Sequence, residues 1–331
     1  MEAQEDLIPT TVAEPASVLR WRTMLAVPGA AAATFGVHLL IAKSEPPLES
    51  HSYRLLFGEV IAVSIVLALM RRFFPRLRQW MARMWPVFTA AILFLCVWDV
   101  ITLGFRLLPL PYFPGPSSVL RSLINDRVLL LDSTWHSLVL LLSGYTVGVI
   151  AGLISGICIG WSSPIRYWGM PILKVVGPIP ATAWIPLAMV LSPSAIVSSA
   201  ALIALAVWFP VTMLTASGIS NTRASYLDVA RTLGAGRGYL IFRVAIPAAI
   251  PNIFIGLFMG LGASFLTLVV AESVGVKSGL GWYVSWAQGW AEYAKVFAAL
   301  IIMAAFFSTI MTLLFKVRDR VLVWQKGVIK W

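Results

Sequence analysis

Ser137 to Gly160 reads SLVLLLSGYTVGVIAGLISGICIG, a stretch with no charged residue and with a glycine at every fourth position, Gly144, Gly148, Gly152, Gly156 and Gly160. Coiled as an α-helix at about 1.5 Å per residue, it is long enough to cross a hydrocarbon layer of about 30 Å. Glycines four apart make one bare stripe along such a helix. The stripe lets a neighbouring backbone approach closely where lipid supplies no hydrophobic drive for association. Gly256, Gly260 and Ser264 form a shorter stripe in a later apolar stretch. Both rows specify tight helix packing, read as within one bundle with a dimer seam as the other reading, and by themselves they name no activity.

The rest of the chain has the same character. Of its 331 residues 59% are apolar and 12% are charged, about half the charged share of a soluble domain. That excludes a water-soluble protein, and a chain with so much apolar surface to bury is not disordered either. Uninterrupted apolar windows run over Thr23–Ala42, Leu55–Met70, Pro86–Phe105, Ser137–Gly160, Val175–Leu191, Ala195–Ile219, Ala248–Ala271 and Val296–Phe315. They predict an all-α polytopic membrane protein of about eight transmembrane helices. Cys96 and Cys158 fall inside these windows and read as core side chains. His38, His51 and His136 have no second ligand at metal spacing, so no metal site is expected.

The formal charge is +11, which in a soluble domain would suggest nucleic acid. In a membrane protein, basic cytoplasmic loops account for it. With the N-terminus inside, 17 Lys and Arg fall on the cytoplasmic side and seven outside, with Lys174 unassigned. Both termini are therefore expected in the cytoplasm. Glu2, Glu5, Asp6 and Glu14 precede the first basic residue, Arg20, unlike the positive start of a cleaved signal peptide. Residues 1–20 thus read as a cytoplasmic polar tail, 21–85 as an additional helix pair with a basic loop, and 86–331 as the core.

Pro171 to Pro186, PILKVVGPIPATAWIP, cannot be a regular helix. Pro178, Pro180 and Pro186 each remove a backbone donor, so the helix must kink or unwind. Irregular backbone at membrane depth is tolerated only where protein or a water-filled path covers it. Pro178, Pro180, Trp184 and Pro186 are therefore candidates for a translocation path, with a structural kink as the other reading. Three carboxylates, Glu59, Asp99 and Glu272, lie near or inside spans, where desolvation is costly. Glu59 suggests a contact or interfacial position, Asp99 a pairing with a neighbouring helix, and Glu272 support for an outer gate. On the outer side, a proline-rich stretch ending at Pro116 leads to an amphipathic helix capped at Ser117. The aromatic loop with Trp282, Tyr283, Trp286, Trp290 and Tyr293 reads as an interfacial belt or a docking surface.

Ser220 to Pro247 is too polar to span and too periodic to be loop. Tyr226, Leu227, Ala230 and Leu233 recur at helical spacing with Asp228 and Arg231 on the exposed side, and Gly234, Gly236 and Gly238 mark a turn before Tyr239–Ile246. Asp228-Val229-Ala230, then Gly234, then Val244-Ala245-Ile246-Pro247 resembles the EAA loop of ABC importer permeases, with Asp for Glu at 228 and Val for Ala at 229. The resemblance runs from about Pro114 to Trp331. It is most similar to the nitrate, sulfonate, taurine and bicarbonate branch through PGPSSVLRSL, DSTWHSLVLLLSGYTVGVIAG, GPIPATAWIPLA, IPAAIPNIFIGL and AESVGVKSGLGW. LSPSAIVSS departs from the Trp-Phe-Gly-containing segment of that branch, and the first two spans are additional to its six-span core.

The resemblance implies a non-catalytic permease subunit of an importer for a small, anionic solute, located in the bacterial inner membrane. It implies two cytoplasmic ABC ATPase subunits, a second permease subunit forming a homodimer, and an extracytoplasmic solute-binding protein. Asp228, Ala230, Arg231, Gly234 and Pro247 would then form the ATPase-coupling loop, with Gly234 permitting a turn that a side chain would obstruct. The chain has no Gly-x-x-x-x-Gly-Lys-Ser/Thr phosphate loop, so ATP and Mg would sit on the partner ATPase and this chain would bind no cofactor. The competing readings are an ion-gradient-driven secondary transporter, which requires a paired repeat with matching broken helices, and a membrane scaffold. For the loop itself the competing reading is a helix resting on lipid headgroups.

Overall fold

The structure is a computed structural model and describes residues 26–41, 47–70, 73–105, 107–109 and 111–323, except the side chains of 47–50. The polar tail, Arg20, Arg22, Lys43, Arg71, Arg72, Arg106, Lys326 and Lys330 lie outside the described residues. Every regular element among those described is helical. In chain order they are α1 (Ala26–Ile41), α2 (Pro47–Met70), α3 (Pro75–Asp99), α4 (Pro116–Asn125), α5 (Arg127–Trp161), α6 (Ser163–Val176), α7 (Ile185–Leu191) and α8 (Ala195–Ser220). Then follow α9 (Ala224–Thr232), α10 (Arg237–Gly275), α11 (Leu280–Gly289) and α12 (Tyr293–Val321).

Six helices, α2, α3 with its π turn Val100–Gly104, α5, α8, α10 and α12, are long and apolar enough to cross a membrane. Helix α1 is apolar but shorter, with 16 described residues. The expected fifth span, Val175–Leu191, is not one helix. It straddles a break at which α6 and the Ala181–Leu191 segment meet at 86°. Arg166 and Lys174 hide the first arm, α6, from a search for uninterrupted apolar sequence.

The chain divides into two compact units, Met1–Ile124 and Asn125–Trp331. The first unit gathers α1, α2 and α3 around Val27, Ala31, Tyr53, Phe57, Trp85 and Ile92. Helix α3, which sequence grouping joins to the later spans, thus shares its core with the N-terminal pair. Asp99 does pair with a neighbouring helix: its Oδ2 lies 2.8 Å from Nδ1 of His38 on α1, and both side chains are fully buried. Burial without a partner would leave either group with a large desolvation cost. Glu59 is exposed on α2. Helix α4 begins at Pro116, so Ser117 lies inside its first turn and is buried there rather than capping it.

The second unit is built on α8. The glycines of α5 face a row of α8 carbonyls: Gly144 against Ala200, Gly148 against Ala204, Gly152 against Trp208, Gly156 against Thr212 and Gly160 against Ala216. A Cβ on any of the five would lie between 2.5 and 3.2 Å from the facing carbonyl oxygen. The side chains of α8 fill the same row, with Ile203 over Gly144, Val207 over Gly148, Val211 over Gly152 and Thr215 over Gly156. At all five glycines the α8 backbone thus closes directly on α5. Numbers rise together on both sides, so α5 and α8 run parallel. Helix α10 covers the adjoining side of α8, with Gly256 against Pro210 and Val211, Gly260 against Val207, and Gly218 against Ala249. Here the numbers run oppositely, and the pair is antiparallel. Parallel α5 and α8 require the chain between them to travel back along the bundle. The bent segment from Ser163 to Leu191 makes that return.

Polar side chains reinforce the seams. Ser155 Oγ and Thr212 Oγ1 are 2.8 Å apart, Trp208 Nε1 donates to Ser155 Oγ at 3.0 Å, and the Tyr145 hydroxyl donates to the Leu257 carbonyl at 3.0 Å. Arg166 closes the end of α5, donating to the carbonyls of Ile159 at 3.0 Å and Gly160, which the helix leaves without internal donors. Cys158 is exposed rather than in the core, and Cys96 is half-buried. Both occupy apolar helices, where an apolar surface directed at lipid reads the same in sequence as one directed inward.

Gly152→Leu should therefore overpack the α5–α8 seam, at a cost of about 1–3 kcal/mol, and lower the thermal midpoint of the detergent-solubilised protein. Gly262→Leu, where a Cβ meets nothing within 4 Å, should leave the midpoint near wild type. Equal losses in the two variants would contradict the seam.

Candidate functional site

The loop 220–247 folds into α9, a tight turn and the first turns of α10. Helix α9 buries none of its residues. Of the residues at helical spacing, Leu227 and Ala230 are half-buried, whereas Tyr226 and Leu233 are 51% and 83% exposed, and Val229 beside them is 60% exposed. The turn is a Schellman closure: Gly234 N–H donates to Arg231 O at 2.9 Å and Ala235 N–H to Ala230 O at 3.0 Å. Gly234 takes φ +85°, and a Cβ there would meet nothing within 4 Å. It is therefore the left-handed backbone that requires glycine here, not crowding.

Asp228 and Arg231 form an exposed ion pair at 2.9 Å on the other side of α9, an interaction of small energetic weight. Tyr226, Val229, Ala230, Leu233, Gly234 and Tyr239 line an open groove of about 550 Å³. Arg243 and Val244 complete its rim, whereas Pro247 does not line it. At Pro247 no N–H can return to the preceding turn, and the ladder just before it widens to a π segment, Leu240–Ala245. The structure thus brings Asp228, Ala230, Arg231 and Gly234 together on one short helix and its cap. Val229, Leu233 and Tyr239 belong to the same surface. Leu233 is legible as periodic, but sequence cannot separate a face covered by its own chain from one left open.

The break after α6 lies level with the middle of α8 and is largely exposed in the single chain. A Cβ on Gly177 would collide with the ring of Phe209, near the middle of α8. Beyond it, Pro178 and Pro180 are exposed, a 3₁₀ turn covers Ala181–Trp184, and Pro186 opens α7. Trp184 Nε1 is buried and makes no hydrogen bond.

Glu272 is elsewhere, at the far end of α10. Its Oε1 accepts from the Ser137 hydroxyl at 2.7 Å and its Oε2 from the Gly281 N–H at 2.8 Å, while Ser137 Oγ accepts from the Leu280 N–H at 2.8 Å. The carboxylate thus fastens the N-terminus of α11, where unpaired N–H groups favour negative charge. Gly279, at φ +104°, makes room for it: a Cβ there would overlap the carboxyl group. A cavity of about 290 Å³ adjoins Glu272, lined also by Trp135, His136, Leu140, Ser143 and Ser278. Pro178, Pro180, Trp184 and Pro186 do not reach it.

Tyr283 of α11 is fully buried rather than interfacial, and its hydroxyl donates to Asp126 at 2.6 Å. Burial, and then the Asp126 carboxylate, hold that hydroxyl protonated well above the usual tyrosine range. Trp290 is exposed, and Trp282 stacks on Trp286 at 6.2 Å between centroids.

Residues 144–322 match the sequence family described as binding-protein-dependent transport system inner membrane component. A Haemophilus influenzae protein named "Probable ABC transporter permease protein" is 31% identical over 221 residues, 66% of this chain and 89% of that one. The taurine transport system permease protein TauC of Escherichia coli is 31% identical over 223 residues, 65% of this chain and 80% of its own. The nitrate import permease protein NrtB of Synechocystis is 31% identical over 172 residues, 52% of this chain and 60% of its own. The region matched by the family contains the glycine row from Gly144 to Gly160, the bent helix, α9 with its cap, and Glu272.

Glu272→Ala leaves the Gly281 N–H and the Ser137 hydroxyl without their charged acceptor, a loss on the order of 2 kcal/mol. Amide hydrogen exchange at Leu280 and Gly281 should accelerate well beyond that of α8. Unchanged exchange would contradict the fastening of α11 by this carboxylate.

Proposed function

The chain belongs to the family of binding-protein-dependent transport system inner membrane components, and from that premise we propose that it is the permease subunit of an ATP-driven importer for a small anionic solute. The observation that carries this reading is the uncovered apolar face of α9, held in place by the Schellman turn at Gly234 and presented beside an open groove. A helix with no buried residue gains little from its own chain and needs a partner for its apolar side chains. The EAA-type spacing over the same residues supports a cytoplasmic ABC ATPase as that partner, present in two copies and itself holding the ATP and Mg.

Asp228, Ala230, Arg231 and Gly234 carry the coupling contact, and Pro247 sets the start of the regular part of α10. ATP-driven closure of the ATPases moves α9, and through α10 and α8 it switches the permease between inward and outward access. A second copy of the chain completes the passage, and an external binding protein delivers the solute. Both termini and α9 face the cytoplasm of a bacterial inner membrane, and the α11 loop faces outside. In the second unit the turns at 161–163 and 220–237 lie at one end of the bundle and Glu272 with α11 at the other, in keeping with that placement.

The anionic class rests on similarity to permeases named for taurine and nitrate. Glu272 is assigned to fastening α11 rather than to the solute, because both its carboxylate oxygens are engaged by Ser137 and Gly281.

Membranes containing the chain should yield a complex with its ABC ATPase on co-purification, with ATP hydrolysis stimulated by the binding protein. Leu233→Asp changes a side chain that is 83% exposed, so the chain should still fold while recovered ATPase falls about tenfold or more. A Leu233→Asp chain that retains the whole complex and its activity would contradict the docking role of α9. A native chain that recruits no ATPase would favour a gradient-driven transporter.

A further inference from the structure

Helix α6 presents two different flanks. Its packed side is formed by Arg166, Gly169, Met170, Leu173 and Gly177, against Ile159 of α5 and Phe209, Met213 and Ala216 of α8. At about 100° per residue, Ile165, Trp168, Ile172 and Val175 fall on one exposed flank. Tyr167, Pro171, Lys174 and Pro178 fall on the other, and all are exposed in the single chain. The first flank is wholly apolar and suits lipid. The second has a hydroxyl, a cation and two prolines, one of which begins the break.

Lys174 is the one basic residue between Arg166 and Arg223. Among the described residues it has no hydrogen-bond or ion-pair partner. Its neighbour Leu173 packs with Ala216 of α8, and Gly177, less than one turn on, packs against Phe209 near the middle of α8. Lys174 therefore sits within the spanning part of the unit, just before the break. An unpaired cation at that depth is costly unless it faces water or an anion. The wholly apolar flank is the neighbouring one, about 110° further round the helix.

We propose that Lys174 receives the anionic group of the solute as it passes the break between α6 and α7. The inference rests on the importer reading above and adds to it the residue that selects for charge. Lysine suits transit better than a tight clamp would, because its compact ammonium binds without the rigid two-point geometry of arginine. Pro178 and Pro180 shape the break but supply no donor.

The test uses the complete complex with its binding protein in proteoliposomes, with taurine, nitrate, ethanesulfonate and bicarbonate as probes. Lys174→Gln should lower uptake of the transported anion about tenfold or more, the loss of one charge-assisted contact, while complex assembly and binding-protein-stimulated ATP hydrolysis stay at wild-type level. In a chain with Cys96 and Cys158 replaced by alanine, Lys174→Cys should be equally impaired. Reaction with an aminoethyl methanethiosulfonate, which restores a positive charge, should recover uptake, and a sulfonatoethyl reagent should not.

Unimpaired uptake by Lys174→Gln in a complex whose wild type imports one of the anions would overturn the role of Lys174 alone. Recovery with both thiol reagents, or with neither, would overturn it as well, reducing the residue to a structural element. A wild-type complex that imports none of the anions would overturn the anion-importer reading and this inference with it.

Discussion

Five glycines of α5 set against five carbonyls of α8 are the constraint on which the second unit depends. Lipid gives apolar helices no reason to associate, so the energy must come from packing and close backbone contact. Gly144, Gly148, Gly152, Gly156 and Gly160 supply it by leaving the space of a Cβ to the facing helix. The regular four-residue step on both sides also fixes the direction of packing. Because the facing positions rise together, from Gly144 on Ala200 to Gly160 on Ala216, the two helices run parallel and the chain between them must cross back.

That crossing cannot be a plain helix. The intervening segment leaves α5 at Arg166, packs Gly177 against Phe209, breaks at Pro178 and Pro180, and returns to α8 through α7. The irregularity is thus attached to the helices of the glycine-packed seam. Antiparallel packing of α10 on α8, through Gly218, Gly256 and Gly260, then places the remaining features at opposite ends. Helix α9 projects at one end, and Glu272 fastens α11 at the other.

The glycine row, the apolar periods and the irregularity at Pro178 are legible because each follows from local chemistry: a missing Cβ, a helical repeat, a missing N–H. The pairing of Asp99 is foreseeable from the cost of burying a carboxylate, although its partner, His38, lies 61 positions away and no local signal names it. Other features depend on what a side chain meets. Cys158 and Tyr283 lie in similarly apolar surroundings, yet one is exposed and the other is buried on Asp126. Gly234 suggests in sequence a turn that a side chain would obstruct, and its neighbourhood is open; the requirement lies in its φ of +85°. Helix α6 escapes a search for spans because Arg166 and Lys174 interrupt its apolar sequence. The apolar face of α9 is legible as a pattern, but only the fold reveals it uncovered.

The central claim is that a rigid glycine-packed seam carries an exposed helix made to be covered by another protein. Hydrogen exchange of the chain in lipid nanodiscs, with and without its ABC ATPase, tests this most directly. Residues 224–239 should exchange readily in the chain alone and become strongly protected on addition of the ATPase, while α5 and α8 stay protected throughout. Protection of 224–239 that is the same in both states, or ready exchange along α5 and α8, would contradict the account.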